Sequence, residues 1–183
     1  MSMYSNRDIA DSVKKKQIRI EPFDRKNLQS DAYKLHLDGD IAVPKSGLLD
    51  QKLVTDYSSF YSKKKSENFV LRPGAFILAK TKEKITIPRG LSGIVGGRST
   101  IALMGISVIK TAPLIHAGHG LPNPRKIILE ILNSSPFDIV LHEGMNIGEI
   151  SFLELKTPTD IPYDSYGNYG KKNKKDELFP LKE

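Results

Sequence analysis

A chain of 183 residues without cysteine can bury roughly 70% of its unfolded surface as one domain with no disulfide. The missing thiols exclude thiolate nucleophiles and cysteine-built zinc sites. The formal net charge of +7 favours an anionic partner such as a triphosphate. The lysines, however, gather in runs at 14–16, 63–65 and 171–175 without the interleaved aromatic residues that base stacking needs, which argues against nucleic acid. Residues 1–10 carry no apolar leader, and no run approaches the roughly eighteen apolar residues of a membrane helix. A single cytoplasmic domain with no membrane partner is the expectation.

In chain order, the first element reads as a helix over residues 7–15, capped by Ser5 or Asn6, with Ile9 and Val13 on one face and lysines at its end. The period then becomes two. Extended runs follow at 18–23, 32–37, 41–44, 69–71, 75–80, 84–87, 91–95, 106–111, 126–132, 137–141 and 146–155. Turn signals stand between them at Asp38-Gly39, Pro73-Gly74, Pro88-Arg89-Gly90 and Glu143-Gly144. Residues 46–67 read as a polar excursion. Residues 157–183 read as a basic, flexible C-terminal arm of the single domain, with little to bury.

One segment breaks the pattern. Gly96-Gly97-Arg98-Ser99-Thr100 leads into Ile101 to Gly105, which reads as a glycine turn opening a short helix, with Ser99 as its cap and Gly105 closing it in a left-handed conformation. Free amides, a hydroxyl and a guanidinium there could form an anion cradle; equally, Arg98 could pair with a carboxylate on a capped surface turn. Glu130 interrupts the apolar run Ile127, Ile128, Leu129, Ile131, Leu132. In a strand it shares a face with Ile128 and Leu132, where desolvation would raise its pKa and suit it to proton transfer. The alternative is a structural carboxylate paired with a lysine across the sheet. His116 and His119 are too few for a protein-ligated metal, and His36 and His142 read as packing or solvent contacts.

Taken together, Gly97-Arg98-Ser99-Thr100, Thr111-Ala112, Ile115-His116-Ala117-Gly118, Ile128-Leu129-Glu130 and Gly144-Met145-Asn146-Ile147-Gly148 resemble the dCTP deaminase and dUTPase superfamily, as do Asp8-Ile9, Ile20-Glu21-Pro22-Phe23 and Leu71-Arg72-Pro73-Gly74. The resemblance runs from about residue 7 to 163. It implies an all-β, distorted jelly-roll-like barrel of the dUTPase type with a short N-terminal helix. It also implies a homotrimer binding a deoxypyrimidine nucleoside triphosphate between subunits, with the arm closing over each site. Arg98, Ser99 and Thr100 would grip the triphosphate, Thr111, Ala112, Ile128 and Tyr163 would line the nucleotide site, and Glu130 would be the general acid/base. Mg²⁺ would arrive on the triphosphate, with no zinc.

The sequence departs from that pattern at several positions. Leu103 replaces a helper arginine, His116 an aspartate that positions water, Lys34 an aspartate and Glu149 a glutamine, and the arm lacks the Lys-Tyr-Gln-Gly-Gln signature. The expected function is therefore a dCTP deaminase type hydrolase of deoxynucleotide metabolism, converting dCTP to dUTP and ammonia, with Glu130 catalytic and His116 in a second catalytic role. The alternatives are a dUTP diphosphatase releasing dUMP and pyrophosphate, and a nucleotide-sensing trimer that has lost part of the reaction centre.

Overall fold

The structure, a computed structural model, describes residues 2–53 and 56–166. Helix α1, Asn6–Lys14, starts at Ser5, whose hydroxyl accepts from the Asp8 N–H while the Asp8 carboxylate accepts from the Ser5 N–H, a reciprocal capping box. The expected helix and cap are both present. Ile9 is fully buried and pins the helix to the sheet. No described helix is long and apolar enough to cross a membrane.

Eleven strands follow: β1 (Arg19–Glu21), β2 (Tyr33–Pro44), β3 (Tyr61–Lys65), β4 (Asn68–Leu71), β5 (Phe76–Thr86), β6 (Leu91–Gly97), β7 (Ile106–Ser107), β8 (Leu114–Ile115), β9 (Arg125–Asn133), β10 (Ile139–His142) and β11 (Asn146–Glu154). The main sheet runs β7-β9-β5-β2-β11-β6-β8, with β1 added on β5 and β3 on β2, while β4 and β10 form a separate pair. Every pairing is antiparallel. This mostly-β, curled half-barrel is the fold class expected. One apolar cluster fills it, including Ile9, Leu35, Ile77, Leu129, Ile150 and Phe152.

Several local expectations are corrected. Asp38-Gly39 is not a turn, because β2 runs straight through it, with a register shift between Leu37 and Ile41 where it meets β5. The glycine is needed there for close approach, since a Cβ on Gly39 would lie 2.7 Å from the Glu143 carboxylate. The runs at 75–80 and 84–87 are one strand, β5, with an irregularity between Lys80 and Lys84 opposite β9. Fully buried Thr81 bridges that gap, its hydroxyl accepting from the Ile127 N–H at 2.9 Å and donating to the Glu83 carbonyl at 2.7 Å. The polar excursion contains a 3₁₀ turn, Tyr57–Phe60, and strand β3. The run at 106–111 keeps strand geometry only over β7. Pro73-Gly74 and Glu143-Gly144 do turn, with Gly74 and Gly144 at φ 72° and 79°. His36 packs against buried Glu83, and exposed His142 meets the Asn68 side chain.

Candidate active site

Strand β9 builds the floor of the site by its period of two. Arg125, Ile127, Leu129, Ile131 and Asn133 are buried on one side, and Lys126, Ile128, Glu130 and Leu132, each half-buried, share the other. Beside Glu130 the chain leaving β7 stays close, with the Glu130 N–H donating to the Val108 carbonyl at 3.0 Å. It then bends so that the next amides point at the carboxylate. Oε2 of Glu130 accepts from the Lys110 N–H at 3.1 Å, the Thr111 N–H at 2.6 Å and the Thr111 hydroxyl at 2.8 Å. The cross-strand neighbour of Glu130 is Leu78, not a lysine. Glu130 is thus no half of a sheet ion pair among the described residues; it is a carboxylate clamped through Oε2 alone among them.

Above this floor lies a cleft of about 850 Å³, counting the solvent at its mouth; Ala112, His116, His119, Lys126, Ile128, Glu130 and Tyr163 are among its lining residues. The loop carrying both histidines is bound to its surroundings at every turn. Ile87 donates to the His119 carbonyl, Gly118 donates to the Ile87 carbonyl, and Thr86 donates through its hydroxyl to the Gly120 carbonyl. Gly118 and Gly120 sit at φ 89° and 69°, and a Cβ on Gly118 would lie 2.4 Å from Pro162.

That close approach brings in the C-terminal segment. Helical turn α3, Tyr163–Tyr166, docks when the Tyr163 N–H donates to the Ala117 carbonyl at 2.8 Å and Asp164 pairs with Arg125. Burial pushes the Asp164 carboxyl up, against the Arg125 guanidinium and the Gly120 and Leu121 amides, which pull it down. Tyr163 then stacks on His116 at 5.6 Å and 14° and tilts over His119 at 6.2 Å and 32°. Burial, aided by the Arg125 charge, lowers His119 to about 4, and its Nε2 is buried with no hydrogen-bond partner among the described residues. At the other edge Lys126 pairs with Asp38. Burial raises the Asp38 carboxyl, but the bonds from Lys126 and the Asp40 N–H outweigh it and hold Asp38 below the usual range.

Of the residues singled out in the sequence, Ala112, His116, Ile128, Glu130 and Tyr163 meet in this cleft, and Thr111 clamps Glu130 from beside it. Arg98, Ser99 and Thr100 do not reach it within one chain. They stand at the start of α2, Ser99–Ala102, with Ser99 and Thr100 exposed and Arg98 half-buried. The cap position belongs to Arg98, not Ser99, and carries no side-chain hydrogen bond. No described carboxylate forms an ion pair with Arg98. Gly105 does end the helix, at φ 74°. Leu103 is 88% exposed and does not line the cleft in its own chain.

A family model described as dCTP deaminase-like matches residues 3–155. The chain belongs to the dCTP deaminase-like family. It is 33% identical over 174 residues to the dUMP-forming dCTP deaminase of Corynebacterium glutamicum, covering 93% of this chain and 89% of that protein. A protein of the same name from a Parafrankia species is 30% identical over 172 residues, covering 91% and 84%. Among solved structures, the 2′-deoxycytidine 5′-triphosphate deaminase of Agrobacterium tumefaciens superposes with a TM-score of 0.64 at 19% identity. That match covers 82% of this chain, which spans 47% of the longer neighbour, and it shows the shared fold. The sequence missed Lys126, Asp38 and Asp164 as parts of this site. Lys126 had a signal, since it falls at the same two-residue period as Ile128 and Glu130.

Proposed function

We propose that this chain is a dCTP deaminase, with the clamped Glu130 carboxylate as its general acid/base. The observation that carries the reading is the asymmetry of Glu130: three donors fix Oε2, and Oε1 remains to handle a proton at the cleft. In the reaction, water adds to C4 of cytosine and Oε1 takes its proton. That proton passes to ring N3 and stays there; the hydroxyl now on C4 then gives its own proton to Oε1, which hands it to the amine as the C4–N bond breaks, so that dCTP and water give dUTP and ammonia. Ile128 and Ala112 would flank the pyrimidine, and Tyr163 would cover the nucleoside. Among the described residues no group of three His, Asp or Glu could hold a metal, so Mg²⁺ would enter on the triphosphate oxygens.

The triphosphate needs cations and amides that a single chain does not present in its cleft. Arg98, Ser99 and Thr100 of a neighbouring subunit would supply them, making a homotrimer with shared sites the working assembly. The name of the Corynebacterium relative, dUMP-forming, favours a second reading in which the dUTP formed is further hydrolysed to dUMP and pyrophosphate. His116, exposed at the mouth of the cleft, is then the candidate to accept a proton from the second water.

Purified protein is to be incubated with each deoxynucleoside triphosphate and Mg²⁺ while ammonia and pyrophosphate are followed separately. Ammonia from dCTP alone supports deamination, and ammonia with pyrophosphate supports the dUMP-forming reading. Pyrophosphate from dUTP without ammonia from dCTP overturns the role of Glu130. Tight dCTP binding with neither product leaves the sensing alternative.

A further inference from the structure

We infer that the end of the β2–β3 hairpin docks this protein on an anionic lipid surface, with Leu48, Leu49 and Leu53 entering the headgroup boundary and the lysines behind them facing the lipid phosphates. Docking there is independent of the deaminase reading. The last pair of the hairpin is Pro44 with Tyr61. Just beyond it the Lys45 N–H donates to the Phe60 carbonyl at 2.8 Å, and Lys45 Nζ donates to the Ser59 carbonyl at 2.9 Å. Residues 45–53 are then exposed throughout, with Leu48 91% and Leu53 78% exposed. None of the three leucines belongs to an apolar cluster of the fold. Three leucines in six residues left facing water mark a contact surface rather than scattered surface apolar groups.

The turn that carries them is tied internally. The Leu53 N–H donates to the Asp50 carbonyl at 3.0 Å and the Lys52 N–H to the Asp50 carboxylate at 2.9 Å, so these amides keep their partners when the leucines leave water. Exposed Tyr57, with an apolar ring and a polar tip, suits the same boundary.

Charge selects the partner. Residues 45–53 and 61–65 carry five lysines against one carboxylate, Asp50. Lys63, Lys64 and Lys65 are exposed on β3, two to four residues behind the end of the hairpin, or roughly 7–13 Å at the strand rise. Leucines seated roughly 5–10 Å into the headgroup and acyl boundary therefore leave these ammonium groups at the level of the anionic headgroups. A fluid surface asks for no fixed spacing of side chains, and leucines at 48, 49 and 53 in a non-helical turn offer none. Lysines on an edge strand also keep it from pairing with another strand, which disfavours a second copy adding to β3. Surface docking of this kind needs no spanning helix.

The test sediments full-length protein with unilamellar vesicles of phosphatidylcholine alone, or of two parts phosphatidylcholine to one part phosphatidylserine. Binding should be at least about tenfold tighter on the anionic vesicles and should weaken as salt is added. Leu48→Asp with Leu53→Asp should weaken it at least about tenfold, and Lys64→Glu with Lys65→Glu by a similar factor. All four side chains are exposed, so both double variants should melt with the unaltered protein. Equal binding to the two kinds of vesicle, or binding to neither, overturns the inference, as does either double variant that binds as tightly as the unaltered chain. A leucine variant that loses subunits in light scattering also overturns it, since the leucines then belong to a contact between copies of this chain.

Discussion

Replacing Glu130 with glutamine separates holding the substrate from transforming it. The clamp on Oε2 is made entirely of donors, so a glutamine carbonyl oxygen can sit in the same place and turn its NH₂ toward the cleft. Hydrogen bonds to a charged acceptor are worth about 1.5–3 kcal/mol and neutral ones about 0.5–1.5. The clamp should therefore weaken by no more than a few kcal/mol in total, and melting should fall by less than about 10 °C. What disappears is the base. Ammonia release from dCTP should drop at least about a hundredfold, the lower end for loss of general acid/base catalysis, while the dCTP dissociation constant measured by calorimetry changes less than about fivefold. Glu130→Asp is the sharper companion. Its carboxylate is withdrawn by one carbon, about 1.5 Å, so it can satisfy the Thr111 clamp or reach the substrate but not both, and it should be nearly as slow. If Glu130→Gln keeps ammonia release within tenfold of the unaltered protein, the carboxylate is not the proton carrier, and an equally active Glu130→Asp would overturn only the need for the exact reach of the side chain.

Arg98→Ala with Ser99→Ala should abolish tight dCTP binding without unfolding α2, whose cap makes no side-chain bond. Mixing those chains one to one with Glu130→Gln chains should restore about a quarter of full activity if each site takes its cradle and its carboxylate from different subunits, and no recovery would mean that the sites are not shared. Asn133→Ala should cost about 2–4 kcal/mol in urea melts, because the buried amide bonds the Leu71 and Phe137 carbonyls and both the Ser135 N–H and hydroxyl; a loss under about 1 kcal/mol would contradict that network. For His119 the folded pKa, about 4, lies below the ordinary value of 6.5, so its contribution is full above 6.5 and is lost as pH falls through the window between them. That is up to about 3 kcal/mol, and His119→Phe should flatten this part of the stability profile.

The features visible in the sequence were those that one residue decides locally. Ser5 followed by Asp8 makes a cap wherever a helix begins, Gly105 ends a helix because it alone tolerates its φ of 74°, and a carboxylate inside an apolar run of period two must face a cleft or find a partner. The features that stayed hidden depend on segments far apart in the chain. Asp38-Gly39 carries a turn signature, but it lies inside β2, where the Gly39 carbonyl accepts from the Ser66 N–H, and Asp38 then becomes the partner of Lys126, 88 residues away. Ser99 looks like a cap, yet the strand ending at Gly97 delivers Arg98 to that position. The neutrality of His119 comes from what packs around it, including Tyr163, which no local pattern could reveal.

The departures from the family pattern look alike in the sequence, but the structure divides them. Lys34 and Glu149 stand directly opposite each other across β2 and β11, both half-buried and neither lining the cleft. An aspartate exchanged for lysine on one strand and a glutamine for glutamate on the other place complementary charges face to face, which favours the pairing of two central strands. If the resemblance holds at both positions, the two departures form one cross-strand pair away from the cleft. His116 is different because it lines the cleft and stacks on Tyr163, so its exchange for an aspartate alters the chemistry of the mouth directly. Leu103 belongs with neither. An apolar side chain 88% exposed on the helix that carries Arg98 and Ser99 is poorly placed on a lone chain, but at a subunit boundary it would be covered where the cradle meets the next cleft. On the shared-site reading, the arginine that the resemblance implies at this position would point at the neighbour's Glu130, so Leu103 would bear on the rate of the proposed deamination, while Lys34 and Glu149 would bear on the sheet.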